Sequence, residues 1–217
     1  SGICTGALIN NSCSDGTPYF LTANHCLGGS TGSWAFRFNW QSPPGTESCA
    51  TTAGSTDPGP PYDQTANGAT TLVNSGASDY ALLEIDNMSL SDAQNWNCYF
   101  AGWDASDLTT VTEATGIHHP SGDVKKICRE NDAPYHSNAG GAAVWYIDEW
   151  EEGVTEPGSS GSPLFDQNHR IIGQLYGGAA ACAGTSNNGQ YDFYGRLGIS
   201  WSNGLDAYLN PSACGAS

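Results

Sequence analysis

The sequence predicts an all-β protein built as two β-rich halves and closed by a short C-terminal helix. Three observations carry that prediction. Short apolar or alternating runs recur along the 217 residues and are bounded by turn-forming side chains. Glycine is abundant (28 residues), with 7 Trp and 10 Tyr, a composition that suits pleated surfaces joined by tight turns. No amphipathic run of helical length precedes the C-terminus.

Residues 3–9 and 18–23 are apolar or β-rich runs joined by Asn10-Asn11-Ser12-Cys13-Ser14-Asp15-Gly16, a hairpin-like connection. Residues 34–40 alternate strongly and predict a further strand. Residues 41–69 are rich in Pro, Gly, Thr and Ser and predict a long surface excursion. Strands are expected at 70–75 and 80–86, followed by a looser stretch at 87–97 that links the halves. The second half repeats the style at 98–103, 112–118, 124–129, 142–148, 163–166, 170–176 and 193–200. Residues 203–209 predict the terminal helix. The halves are drawn as residues 1–95 and 96–217.

The formal net charge is −16, with six basic residues, so the surface repels nucleic acid and anionic membranes and attracts cationic ligands. Eight cysteines without a CxxC pair or a zinc-spaced Cys/His cluster point to disulfides and a secreted location. No apolar run reaches membrane-spanning length, and no metal or cofactor is implied. The chain opens inside an apparent strand without a signal peptide, so upstream sequence is expected.

Chemistry concentrates in three segments. Gly158-Ser159-Ser160-Gly161-Ser162-Pro163 is a glycine-flanked turn presenting a serine. Thr22-Ala23-Asn24-His25-Cys26 supplies a base, and Ser78-Asp79-Tyr80-Ala81-Leu82-Leu83 supplies a carboxylate at the head of an apolar run. A serine hydroxyl needs a base to take its proton and unobstructed N–H groups to receive an oxyanion. Asp57, Asp63 and Asp86 are rival acids, and Ser159 and Ser162 rival nucleophiles. The Gly158-x-Ser160-Gly161 framing selects Ser160. Adjacent His118 and His119 point to opposite faces of a strand and are read as structural.

These motifs, in the order His, Asp, Ser, resemble the chymotrypsin-like serine peptidases, and more closely the secreted bacterial lysyl endopeptidase group. The resemblance extends through Ala101-Gly102-Trp103-Asp104, His118-His119-Pro120 and Tyr194-Gly195-Arg196. It implies two antiparallel Greek-key β-barrels with the active site between them, and a monomer. It further implies a triad of His25, Asp79 and Ser160, and an oxyanion hole made by the N–H groups of Gly158 and Ser160. Ser159 stands where many animal members carry the aspartate that pairs with a newly cut N-terminal amine, so activation by that ion pair is not expected.

The resemblance also assigns specificity. Asp192 sits where the lysyl endopeptidases place a pocket carboxylate, and Glu156 matches a structural position of their nucleophile loop. A lone buried carboxylate favours a cationic partner, so protein or peptide substrates cleaved after Lys are expected, with Arg second. Glutamyl specificity, or a non-catalytic binding module on the same scaffold, are the alternatives. Leu175, Tyr176, Gly177 and Gly178 match the strand that pairs with the substrate backbone. Tyr176 stands where that group often has histidine. The only two lysines, Lys125 and Lys126, are adjacent, which limits self-cleavage. Cys4 and Cys26 match the family's disulfide around the histidine, worth roughly 3 kcal/mol in the chain-entropy model. Cys98 and Cys128 are expected to pair across a second-half hairpin. Cys49 and Cys182 match positions whose family partners lie near the mature N-terminus, and Cys13 and Cys214 have no assigned partner.

Overall fold

In the computed structural model, which describes residues 2–47, 59–107, 110–182 and 190–212, strand pairing follows the apolar runs. Strands β1 (Ala7–Leu8), β2 (Tyr19–Ala23), β3 (Ala35–Arg37), β4 (Thr65–Asn67), β5 (Ala69–Ser75) and β6 (Tyr80–Ile85) make up the first half. Four of them form an antiparallel sheet in the order β1-β2-β6-β5, and β3 and β4 form a two-stranded ribbon. β6 is apolar in succession because it is covered on both faces. Tyr80 and Leu82 join Ile9 and Leu21 in one cluster, while Leu83 and Ile85 join Leu8 and Phe36 in another. Each such side chain contributes roughly 1.5–3 kcal/mol when fully buried.

The second half is a seven-stranded antiparallel sheet in the order β8-β7-β11-β12-β13-β10-β9. Its strands are β7 (Ala114–His118), β8 (Lys126–Glu130), β9 (Tyr135–Ala139), β10 (Ala142–Ile147), β11 (Pro163–Phe165), β12 (Ile171–Gly178) and β13 (Asp192–Arg196). Val144, Trp145, Trp150, Leu164 and Tyr194 form its core. Ile171, Leu197, Leu205 and Leu209 instead join the Tyr80 cluster, so the C-terminal helical segment packs along the seam between the halves.

Several boundaries differ from expectation for identifiable reasons. The excursion at 41–69 contains β4, whose Ala66 is buried opposite Phe36. The stretch at 87–97 holds helix α1 (Leu90–Asn95), started by a capping box in which Ser89 and Asp92 satisfy each other's backbone N–H. Residues 98–103 form single bridges at Ala101 and Trp103 rather than a strand. β9 is polar, with no alternation to betray it, and pairs with β10 across Gly140 and Gly141, both at positive φ. The terminal helical segment starts at Leu197 and not Asn203: α2 (Leu197–Ser200) runs through a wide turn at Trp201–Leu205 into α3 (Asp206–Leu209). Among the described residues, no helix is long and apolar enough to cross a membrane.

Candidate active site

His25 follows β2 in a short helical turn, and Asp79 heads β6, the strand beside it. Asp79 adopts φ +53°, a left-handed geometry that Asp tolerates better than most side chains. Its backbone carbonyl accepts from Asn24 N at 2.9 Å, its Oδ1 from His25 N at 2.9 Å, and its Oδ2 from His25 Nδ1 at 2.6 Å. A carboxylate can only accept, so the proton sits on Nδ1 and the Nε2 lone pair is free. Asp79 is buried, whereas the His25 side chain is 37% exposed. The base is therefore oriented from behind and open in front. Beneath the turn, buried Gln174 donates to Ser78 O at 2.7 Å, tying the aspartate segment to β12.

The serine loop lies against this pair. Thr22 Oγ1 donates to Thr5 O at 2.7 Å, and Thr5 N donates to Ser160 O at 2.8 Å. A Cβ on Gly161 would lie 2.5 Å from Thr5 O and 2.7 Å from Ala23 N, so only glycine permits this approach. Cys4 and Cys26 form a disulfide bridging the same two segments.

Every carbonyl from Glu156 to Ser160 accepts a hydrogen bond from the protein. The donors are Ser159 N (2.9 Å), Ser121 N (2.7 Å), Thr5 Oγ1 (2.9 Å), Ser162 N (2.9 Å) and Thr5 N (2.8 Å), in chain order of the acceptors. The N–H groups of Glu156, Ser159, Gly161 and Ser162 are also used within the protein. Among the described residues, those of Gly158 and Ser160 meet no protein acceptor. Ser159 Oγ lies 2.8 Å from Nδ1 of buried His118, a neutral hydrogen bond that anchors the residue before Ser160. Burial holds the His118 imidazole down at about 3. Glu156 accepts from Ser121 Oγ at 2.9 Å, a structural contact.

Asp192 is 1% exposed on β13. Trp150 Nε1 and Thr155 Oγ1 both donate to its Oδ2 at 2.7 Å. Burial nevertheless dominates these bonds and pushes the carboxyl up to about 7. It pairs with Gly178 across β12–β13. β12 outruns β11, whose partners end at Gln174. Leu175 instead bonds the serine loop, accepting from Gly161 N and donating to Ser162 O, both at 2.8 Å. Tyr176 beyond it sets its ring 5.8 Å from the His25 ring. The structure thus gathers His25, Asp79, the Ser160 loop and Leu175–Gly178, with Asp192 beneath the far end of β12.

Thr5, Trp150, Thr155 and Gln174 were not legible as site residues. Each acts through a contact across more than 35 positions or to a backbone atom, which local sequence does not reveal. Of the rival side chains, Asp63 is exposed, Asp86 accepts from Thr70 Oγ1 at 2.9 Å, and Ser162 is fully buried. Asp57 lies outside the described residues, as do Cys49 and Cys214. The expected Cys98–Cys128 bridge is absent. Cys128 is a buried thiol in the second-half core, Cys98 a thiol packed on the first-half cluster, and burial pushes both thiols up. Cys13 is disulfide-bonded. Among the described residues, Glu130, Asp132 and Glu151 bring carboxylate oxygens within 4.8 Å of one another, but Asp132 N and Asn131 N already donate to Glu130 and Glu151.

The chain is 30% identical over 210 residues to the lysyl endopeptidase of Pseudomonas aeruginosa, covering 90% of this chain and 42% of that relative's length. Its fold is similar to that of the thermostable serine protease AL20 from an extremophilic microorganism, with a TM-score of 0.58 at 15% identity, covering 93% of this chain and 88% of that one. It is likewise similar to the active form of the Rv3671c protease from M. tuberculosis, with a TM-score of 0.56 at 17% identity, covering 98% of this chain and 77% of that one. The model of one family, "Lysyl endopeptidase, C-terminal domain", matches residues 1–195, and the chain belongs to that family.

Proposed function

We propose that this chain is a serine endopeptidase that cleaves after lysine, with arginine second, through an acyl-enzyme on Ser160. His25 Nε2 takes the Ser160 hydroxyl proton as Oγ attacks the scissile carbonyl. Asp79 holds the Nδ1–H tautomer and stabilises the imidazolium. The oxyanion is received by the N–H groups of Gly158 and Ser160. As the C–N bond breaks, Nε2 returns the proton to the leaving amine, and water then repeats the sequence on the ester. Residues 1–95 contribute the base and its carboxylate, and residues 96–217 the nucleophile and the pocket, so the reaction runs across the seam between two units.

The observation that carries this reading is the hydrogen-bond accounting of the serine loop. With all five carbonyls from Glu156 to Ser160 satisfied from behind, the N–H groups of Gly158 and Ser160 remain for a ligand. Asp192 supports the lysine preference: a buried carboxylate held near 7 for want of a counter-charge is stabilised by an ammonium. The edge of β12 beyond Leu175, past the end of β11, supports backbone pairing with a peptide. The enzyme acts as a secreted monomer on protein or peptide chains.

The test is digestion of an unfolded protein with cut sites mapped by mass spectrometry, alongside Ser160→Ala. Cuts after Lys that vanish in the variant are expected. Cuts after Glu would redirect the specificity, and no cuts together with tight peptide binding would make the chain a binding module.

A further inference from the structure

Gly158 stands at φ +101°, a conformation side-chain-bearing residues rarely adopt. A glycine there brings freedom with it, because nothing in its own side chain holds the following peptide plane. That plane lies between the two that carry the Gly158 and Ser160 N–H groups, and the plane after Ser160 closes the far side of the proposed nucleophile, so holding both fixes the backbone from which the loop's free N–H groups project. Both are gripped by one residue outside the loop. Thr5 Oγ1 donates to Gly158 O at 2.9 Å, and Thr5 N donates to Ser160 O at 2.8 Å.

Thr5 is itself fixed. It is 5% exposed, and its Oγ1 accepts from His119 N at 3.2 Å, so the hydroxyl proton is directed to Gly158. Its carbonyl accepts from Thr22 Oγ1 at 2.7 Å, three residues before His25. Its neighbour Cys4 is tied to Cys26, the residue after His25. The same short segment therefore registers the serine loop against the histidine.

We infer that Thr5 is a positioning residue of the active site: its hydroxyl and N–H clamp the Gly158 and Ser160 carbonyls and so fix the peptide planes adjoining those whose N–H groups receive the oxyanion. This rests on the peptidase reading, since a clamp on those planes matters only if an oxyanion forms there. A Thr5 clamp acts in the transition state and not on substrate docking along β12. Its loss therefore lowers kcat while leaving KM nearly unchanged.

The experiment measures kcat and KM separately for a Lys-amide reporter, with melting temperature as the fold control, in wild type, Thr5→Val and Thr5→Ser. Valine keeps the shape and removes the donor, and serine keeps the donor. The inference expects kcat to fall about 10²-fold in Thr5→Val, as for angström-scale misplacement of a reacting group, with KM within about twofold. Thr5→Ser should recover kcat to within about threefold of wild type. If Thr5→Val does not fold, Thr5→Ala carries the same expectation. Unchanged kcat in the folded Val or Ala variant, a loss confined to KM, or a serine variant as impaired as valine would each overturn the clamp and leave the peptidase reading standing. An inactive wild type would overturn both.

Discussion

Replacing Asp192 by asparagine tests the pocket most sharply, because the structure sets its size and its pH dependence. The carboxyl is buried, and its value lies at about 7 instead of 3.8. Ionising it inside the fold therefore costs about 4 kcal/mol more than in water. Because the folded value is raised, its stabilising contribution is complete below pH 3.8 and is lost as pH rises through about 7. A bound lysine ammonium would offset that cost. Removing one member of such a pair typically costs 3–5 kcal/mol, so kcat/KM for a Lys reporter should fall about 10²–10⁴-fold in Asp192→Asn. A norleucine reporter of similar shape should change by less than about threefold. The assay is the ratio of the two kcat/KM values from pH 5 to 9, in which effects common to both reporters cancel. In wild type the ratio should climb up to tenfold per pH unit and level off above about 7. In the variant it should be flat, and the protein should melt higher at pH 8. A ratio that stays high in Asp192→Asn, or one independent of pH in wild type, refutes the reasoning.

Asp79→Asn should lower kcat by about 10⁴-fold, because an amide no longer enforces the Nδ1–H tautomer; steady-state assays showing less than a tenfold loss would remove Asp79 from its role. His118 is held at about 3 against an ordinary 6.5, so its contribution is complete above 6.5 and is lost as pH falls toward 3. Denaturant titrations at pH 7 and pH 4 should show a drop about 3 kcal/mol smaller in His118→Gln than in wild type; equal drops would contradict this. Gly161→Ala forces a Cβ into the Thr5 and Ala23 backbone at φ +83° and should cost about 3 kcal/mol, roughly 6–12 °C in melting temperature. A shift under about 2 °C in calorimetry would show that the segments can separate cheaply.

What the sequence revealed, and what it hid, follows from the range of the interactions. β6 was legible because Tyr80-Ala81-Leu82-Leu83 is apolar on both faces, and His25, Asp79 and the serine turn because each sits in a local motif. β9 was not, because Tyr135–Ala139 is polar and its one strand partner is β10. Helix α1 was missed although Ser89 and Asp92 spell a capping box, a signal weaker than the turn-like residues around it. The terminal helix was placed late because Gly204 at φ +105° marks a wide turn inside it and not its start. Cys98 and Cys128 looked like a hairpin pair on spacing, yet they pack in separate cores. Thr5 illustrates the limit most clearly: its contacts to Gly158 and Ser160 span over 150 positions.

The central claim, that Ser160 is the nucleophile served by His25, is tested most directly by a serine-directed phosphonate bearing a lysine side chain. Peptide mapping by mass spectrometry locates the adduct in wild type and in His25→Ala. The account predicts one adduct, on Ser160 and not on Ser159 or Ser162, forming at least 10³-fold more slowly without the imidazole. An adduct on another serine, or labelling at equal rate in His25→Ala, would contradict it.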